Sequence, residues 1–444
     1  MSAQTRAHEP YVTGHAAFAA RLGSEPAWLE DLRARGLAAL EDSGFPSRRR
    51  EEWRYTNVEL VMREPFALTD ASAPPVDRAA AQSAVLGDAS APQLVFVDGG
   101  YAPELSAPPA DSDGVLAESL ADVLRDDPAR LKGLLGGEVD IKLHPFAALN
   151  TAYVSDGAVV TVPRGAAAER PVVLRFLARG GETRSIAHPR VLLIAEPGSR
   201  ASVVLDFASL DTGTHLTNTV TEVRVGANAE LHVVTLQRES DDAVHFSLLR
   251  TRQERDSRLR SHVVTCGGAL VRNDLEALLA DEGADCTLNG LFFGAGARKI
   301  DNHTLVDHAV PHGSSRQLYK GVLGDRSRGV FRGRVVVRPD AQKTDATQSN
   351  PNLLTSMGAE VDTKPQLEIH ADDVKCSHGS TIGQLDPDAL FFLRSRGMAE
   401  PEAREFLTRG FANEIVEALP VEVLREPVAD LLFARPSAVV GDRR

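Results

Sequence analysis

Between residues 146 and 380 the chain consists of short runs of β-branched and other apolar residues that alternate with polar ones. This period of two is typical of β-strands, in which successive side chains point to opposite faces. The runs continue for more than 200 residues without a helical pattern between them. They include residues 158–162, 171–176, 201–207, 220–225, 230–235 and 329–337. The sequence therefore predicts a mainly β fold for this region.

A recurring turn pattern separates these runs. A Gly-x-x-small or Gly-x-x-apolar sequence begins at Gly165, Gly198, Gly226, Gly283 and Gly358, and most of these lead into a predicted strand. The glycines lie 33, 28, 57 and 75 residues apart, and 57 is close to twice 28. A loose repeat of this length indicates a solenoid with one coil per repeat, in which glycine supplies the tight corner. A right-handed parallel β-helix fits, and a β-sandwich or jelly roll is the alternative. The uninterrupted series of strands favours the β-helix.

Helical patterns flank the strand-rich region, so the sequence predicts three domains. Residues 1–145 are a helical, loop-rich N-terminal domain, residues 146–385 the parallel β-helix core, and residues 386–444 a helical C-terminal domain. In the first, residues 27–40 place apolar side chains near one helical face, and residues 116–135 are again helix-like. In the last, Pro387 suits a helix start, and Leu407, Phe411 and Ile415 form an apolar stripe with a spacing of four residues.

Length and charge exclude several classes of function. The 444 residues exceed the roughly 250–300 at which a single core stops growing, so several domains or an elongated fold are expected. A formal net charge of −13 argues against non-specific nucleic-acid binding, which requires a basic surface. The most apolar runs have strand length, far from the ~18 residues of a membrane span. The first residues lack the apolar stretch of a signal peptide, so we expect a cytoplasmic protein. The P-loop sequence GxxxxGKS/T does not occur, so we predict no ATP site in this chain.

One short segment, Lys375 to His378, suggests metal chemistry. The three cysteines, Cys266, Cys286 and Cys376, form no CxxC pair, so neither a disulfide framework nor a self-contained zinc site is predicted. In an extended segment residues two apart point the same way, so Cys376 and His378 would project side by side. Thiolate and imidazole together suit iron or zinc. Lys375 and His378 would both stabilise a thiolate at Cys376.

The alternative is that Cys376 is an inert, buried small hydrophobe, as Cys266 and Cys286 are expected to be. A cluster needs about four protein ligands, and this chain offers one compact pair. Further ligands would therefore come from a second subunit, at a transient assembly site. The spacings of His303, His308 and His312 do not place all three on one strand face, so we interpret them as polar strand-edge and turn groups.

Several segments resemble the SufB/SufD family of iron–sulfur cluster assembly proteins. The resemblance rests on residues 340–350, 362–369 and 372–383, and residues 319–323, 329–333 and 390–397 fit the same pattern. Residues 44–48 and 52–56 resemble the family's N-terminal signature, and residues 146–150 match the entry to its core. The Lys-Cys-Ser-His-Gly sequence at 375–379 is similar to the SufD branch, with SufB as the nearest alternative.

The resemblance implies a non-catalytic scaffold with a right-handed parallel β-helix core and helical terminal domains. It implies a complex of SufB, SufD and two copies of the SufC ATPase. The β-helices of SufB and SufD would pair edge to edge, and because unpaired sheet edges tend to associate, we expect a homodimer when the chain is alone. The C-terminal helices would dock the ATPase. The docking residues expected in this chain are Phe391, Phe392, Arg394, Arg396, Leu407, Phe411 and Ile415.

The resemblance also implies a nascent-cluster site at the SufB–SufD interface. His378 matches a histidine that faces a cysteine of SufB there, and Cys376 is its near neighbour. The expected cofactor is a transient iron–sulfur cluster or iron. The family has also been linked to a reduced flavin, but this sequence contains no recognisable flavin motif.

Two other classes of function compete with this interpretation. A polysaccharide-active β-helix enzyme is disfavoured by the missing signal peptide and by an aromatic content of only 5%, since sugar grooves use aromatic platforms. A purely structural interaction protein would leave Cys376 and His378 inert.

Overall fold

The predicted solenoid is present in the computed structural model, which describes residues 7–23, 25–58, 63–69, 76–110, 114–181 and 183–433. The chain is mainly β and is built on a parallel β-solenoid flanked by N-terminal and C-terminal helices, which confirms the predicted fold class. Two sheets face each other across a packed interior, and successive strands of the solenoid mostly alternate between them.

The N-terminal region combines helices with short strands. The helices are α1 (Glu9–Leu22), α2 (Ala27–Ser43), α3 (Arg78–Ser83), α4 (Leu120–Asp126) and α5 (Pro145–Ala152), with 3-10 turns at Glu51–Trp53, Pro103–Leu105 and Pro128–Leu131. The strands are β1 (Ala67–Leu68), β2 (Gln93–Val97), β3 (Gly100–Tyr101) and β4 (Leu116–Ser119). Residues 116–135, predicted as helical, begin instead with β4. The reason is a local period of two, since Ala117 and Ser119 are buried while Leu116 and Glu118 are not.

The solenoid strands fall into two sheets. Sheet A contains β5 (Gly157–Val162), β8 (Arg190–Ala195), β10 (His215–Val225), β12 (Val244–Gln253), β14 (Leu270–Leu279), β16 (Lys299–His308), β18 (Arg328–Val337) and β20 (Glu360–Ile369), and the short β7 (Ser185–Ala187) joins its side. Sheet B contains β6 (Val172–Ala178), β9 (Arg200–Ser209), β11 (Glu230–Gln237), β13 (Arg258–Thr265), β15 (Asp285–Gly294), β17 (Ser314–Leu323), β19 (Asp345–Leu354) and β21 (Lys375–Gly383). All pairs between these strands are parallel.

The first coil of the solenoid is covered by the N-terminal region. Strand β4 pairs antiparallel with β5, and β2 pairs parallel with β6, so both sheets are extended at this end. The N-terminal helices pack against the outer face of sheet A through a cluster that includes Leu40, Phe146 and Phe246. A separate apolar cluster fills the interior between the sheets from Leu94 to Phe331.

The corners that precede six strands of sheet B, β9, β11, β13, β15, β17 and β19, share a left-handed backbone conformation. Each lies two residues before its strand, and successive corners are 27 to 31 residues apart. Their φ angles are 72° at Gly198, 58° at Asn228, 53° at Asp256, 73° at Gly283, 63° at His312 and 62° at Lys343. Glycine adopts this conformation without strain, and Asn and Asp tolerate it better than other residues. The repeat is therefore more regular in space than the glycine positions indicate.

The C-terminal helices are α6 (Pro387–Ser395), α7 (Glu400–Glu417) and α8 (Arg425–Phe433), with a 3-10 turn at Glu422–Leu424. Helices α7 and α8 pack on the outer face of sheet B, where Ile415 and Leu419 contribute to a cluster with Val234 and Phe293. Residues 434–444 of the predicted C-terminal domain lie outside the described residues. In the described part of the chain no helix is both long and apolar enough to cross a membrane.

Candidate functional site at the open end of the solenoid

The last coil of the solenoid is uncovered within the described residues. Strands β20 and β21 end their sheets, and each pairs with a neighbouring strand on one side only. No residue of β20 is buried, and every residue of β21 except Cys376 is exposed. This end therefore presents two free strand edges and the mouth of the interior to solvent.

Cys376 and His378 lie together on the inner face of β21. Their positions in the sheet are opposite Ala346 and Gln348 of β19, both of which are buried in the interior. Because alternate residues of a strand share a face, both side chains project into the mouth of the solenoid. The structure thus brings together the pair that the sequence singled out.

The Cys376 side chain is half-buried against an apolar cluster that includes Val335, Ala346 and Leu367. This burial raises the pKa of the Cys376 thiol, a hydrogen bond from the Ala346 backbone acts in the opposite direction, and the charge of Asp345 raises it further. The net shift is opposite to that expected from a thiolate stabilised by Lys375 and His378. In this chain alone Cys376 is therefore a protonated thiol at neutral pH, and it would lose its proton on binding a metal.

His378 is exposed and stands over a column of polar side chains in the interior. The Gln348 amide donates a hydrogen bond to Gln317 Oε1 over 3.2 Å, and the Thr304 hydroxyl donates to the same oxygen over 2.7 Å. Gln348 Oε1 is buried and has no hydrogen-bond partner among the described residues. The mouth of the solenoid is therefore polar on the side of His378 and apolar around Cys376.

A complete metal site is not present in the described residues, which contain no group of three or more His, Cys, Asp or Glu side chains that could hold a metal ion. Cys376 and His378 offer two ligands, whereas an iron–sulfur cluster needs about four.

The other cysteines and histidines do not join this site. Cys266 and Cys286 are buried in apolar clusters, as expected, and burial raises the pKa of the Cys286 thiol. His303 pairs with Asp301 over 2.9 Å on the outer face of sheet A. His308 is buried in the interior, within hydrogen-bond distance of the Ser315 hydroxyl, and burial lowers its pKa to about 4. His312 occupies a corner, as its interpretation as a turn residue required.

A contact that the sequence did not indicate joins residues 51–56 to sheet A. The centre of the Trp53 ring lies 3.8 Å from the Arg272 guanidinium of β14. Arg272 donates to the Glu52 backbone oxygen over 2.7 Å, and the Thr56 hydroxyl donates to Asp301 of β16. We call residues 51–56 the strap, because they cross several coils of sheet A.

A cavity of about 580 Å³ lies at the covered end and not at the open one. It is lined by residues that include Phe18, Tyr153, Arg179 and His188. His188 is buried, its Nε2 has no hydrogen-bond partner within the described chain, and burial lowers its pKa to about 3. No sequence pattern pointed to this cavity, because its walls come from distant segments.

The C-terminal residues expected to dock an ATPase divide into two groups. On α6, Phe391 and Phe392 are 74% and 56% exposed, and Arg394 and Arg396 are exposed beside them. The apolar stripe on α7, expected to contribute to the docking surface, faces sheet B instead. Ile415 is fully buried against sheet B, and Phe411 is half-buried with Lys320 4.7 Å from its ring.

This correction has a physical cause. A stripe with a spacing of four residues marks the face that a helix buries, and on α7 that face covers the outer side of sheet B. Leu407, at the start of the stripe, is half-buried. Lys320 also binds the Phe411 backbone oxygen over 2.9 Å and Glu414 over 2.6 Å, so α7 is fixed to the solenoid.

Comparison with known proteins assigns almost the whole described chain to one family. Residues 11–174 match the model of the SufBD protein N-terminal region, and residues 176–411 match the SufBD core domain of SUF system FeS cluster assembly. The chain is 32% identical over 411 residues to an iron–sulfur cluster assembly SufBD family protein of Synechocystis, an alignment that covers 91% of this chain and 90% of that protein. It is 34% identical over 394 residues to the iron–sulfur cluster assembly protein SufD of Escherichia coli, covering 88% and 89% of the two chains. The SufD protein of Bacillus subtilis is 24% identical over 418 residues. The chain belongs to the SufB/SufD family of iron–sulfur cluster assembly proteins.

Proposed function

We propose that this chain is a SufD-type, non-catalytic scaffold subunit on which an iron–sulfur cluster is assembled together with a SufB-type paralogue. The observation that carries the proposal is the open end of the solenoid, where Cys376 and His378 project from a free strand edge. Two ligands at a free edge suit a site that is completed by a second chain and gives up its cluster afterwards. A permanent centre would instead need about four ligands in a closed pocket.

The paralogue would pair with β20 and β21, since both edges are free and exposed. Such pairing would place inward-facing side chains of the partner strand next to Cys376 and His378, about 4.5–5.5 Å away between Cβ atoms. Thiolates or imidazoles at those partner positions would complete the coordination of the nascent cluster, which is the substrate of the assembly. The same edges would support a homodimer when the chain is alone.

Helix α6 is the proposed docking surface for a SufC-type ATPase. It has no buried residue, and it displays Phe391 and Phe392 beside Arg394 and Arg396. Exposed aromatic residues, including phenylalanine, and arginine are enriched at protein interfaces. Helix α6 begins four residues after β21 ends, so a displacement of α6 by ATP-driven dimerisation of the ATPase would act directly on β21.

Co-expression with the SufB-type and SufC-type proteins of the same organism tests this proposal, with the mass of the purified assembly measured by light scattering. The expected result is a complex of all three proteins. The matched variant replaces residues 387–395 by a flexible Gly/Ser linker, which leaves α7 on sheet B, and it should lose the ATPase but keep the paralogue. A full-length chain that binds neither protein would refute the scaffold role.

A further inference from the structure

The two free edges at the open end offer different sets of hydrogen bonds. In β20 the Glu360 N–H donates to Ser327 O over 3.0 Å, and the His370 N–H that follows the strand donates to Val337 O over 2.9 Å. Even-numbered residues therefore bond to β18, and odd-numbered residues direct their N–H groups to the free edge. Pro365 is odd-numbered, lies in the middle of β20 and has no N–H. The row of free donors on β20 is interrupted at its centre.

The free edge of β21 has no such gap. The Lys375 N–H donates to Thr344 O over 2.8 Å, so odd-numbered residues bond to β19. Cys376, His378, Ser380 and Ile382 consequently direct both their N–H and C=O groups to the free edge. No proline occurs between residues 375 and 383. A partner strand can therefore form an unbroken ladder along the very residues that carry the proposed cluster ligands.

The charges on the outer face of β20 favour a non-identical partner chain over a second copy of this chain. The outer face of β20 carries Glu360, Asp362 and Glu368 against the single positive charge of Lys364. Arg328 contacts both Asp362 and Glu360, and Arg334 contacts Glu368, but all of these ion pairs come from the β18 side. A second copy of this chain would bring another row of the same negative sign, whereas a strand with basic outer residues would complement it. The favoured occupant is thus the edge of a non-identical solenoid.

We infer that the SufB-type paralogue is held by a continuous ladder on β21 and by a weaker, interrupted seam on β20, so that the junction opens at β20 while β21 acts as the hinge. This inference rests on the proposed function and adds that the two subunits separate first along β20. Opening at β20 exposes the interior mouth, with Cys376 and His378 on its opposite wall, without separating the two subunits.

Two pairs of variants in the complex of full-length chains test the inference. Pro365→Val restores the missing N–H and should slow dissociation of the paralogue about tenfold, the equivalent of one hydrogen bond. Its control, Gln366→Val, changes an outward-facing residue of the same strand whose N–H points to β18, and should leave the rate unaltered. Ser380→Pro removes one donor from β21 and should weaken binding at least tenfold, whereas Ser380→Ala should bind like the wild type.

Hydrogen exchange of the wild-type complex gives a second measurement that needs no substitution. Amides of residues 375–383 should exchange more slowly than those of residues 360–369. Equal protection of the two segments, together with unchanged dissociation of the Pro365→Val variant, would overturn the hinge. Failure of the wild-type chain to bind the paralogue would instead overturn the proposed function, and the hinge with it.

Discussion

Replacing both Phe391 and Phe392 by alanine should abolish binding of the SufC-type ATPase and leave the free energy of unfolding unchanged. The two residues are 74% and 56% exposed, so their removal creates no cavity. If a fully exposed phenylalanine presents roughly 200 Å², the pair offers on the order of 250 Å² to a partner. At ~25 cal/mol per Å² this area is worth ~6 kcal/mol when fully covered. Even half coverage corresponds to about a 100-fold loss of affinity.

Ile415→Ala is the matched control on α7. Because Ile415 is fully buried against sheet B, its truncation should lower the free energy of unfolding by ~2–5 kcal/mol. The folded fraction should still bind the ATPase. Calorimetric titration with the ATPase and urea denaturation give the two quantities. Our assignment of the two helices would be wrong if the phenylalanine variant bound normally, or if Ile415→Ala lost binding at unchanged stability.

Three further predictions concern the open end, the strap and a buried histidine. His378→Ala should slow cluster assembly in the reconstituted complex, whereas Ser377→Ala on the outer face of the same strand should not. A wild-type rate of assembly in the His378→Ala variant would exclude His378 as a ligand. Arg272→Met removes the buried guanidinium that pairs with Asp274 and Asp301, and should cost ~3–5 kcal/mol in urea denaturation. Arg125→Ala in an exposed ion pair should leave stability unchanged. Because burial lowers the pKa of His188 to about 3, the unfolded chain binds its proton near pH ~6.5 and the folded chain does not. The free energy of unfolding should therefore fall between pH 7 and 5, and His188→Gln should make that fall smaller; an equal fall in both proteins would contradict this.

The solenoid was predictable because its strands repeat locally, but its coils could not be counted from glycine alone. The corner conformation is adopted by Gly198 and Gly283, and equally by Asn228 and Asp256 between them. His312 and Lys343 also adopt it, at a cost that the surrounding ladder must offset. A search for glycine therefore finds only some corners, although the spacing of 27 to 31 residues is nearly constant.

In the candidate site, too, some features follow from neighbouring residues in the sequence, and others depend on contacts between distant segments. The common direction of Cys376 and His378 follows from their spacing on one strand, so the sequence alone predicted it. The raised pKa of Cys376 depends on packing against residues such as Val335 of another strand, which no local pattern reveals. The apolar stripe with Ile415 was found correctly, but periodicity identifies an apolar face without identifying what covers it.

The strap shows what such distant contacts contribute to the open end. Glu51 binds Arg332 of β18 and Lys364 of β20, so the outer face of the last sheet A strand is tied to the N-terminal region. Within the described ranges β21 has no ion pair with the N-terminal region, and its neighbours are β19 and, through the chain, α6. A force applied at α6 would thus act on β21, while the strap would hold β20 on its own solenoid as β20 separates from the paralogue. The strap, the missing N–H of Pro365 in β20 and the exposed helix α6 next to β21 all favour opening of the junction at β20, although they come from three different parts of the sequence.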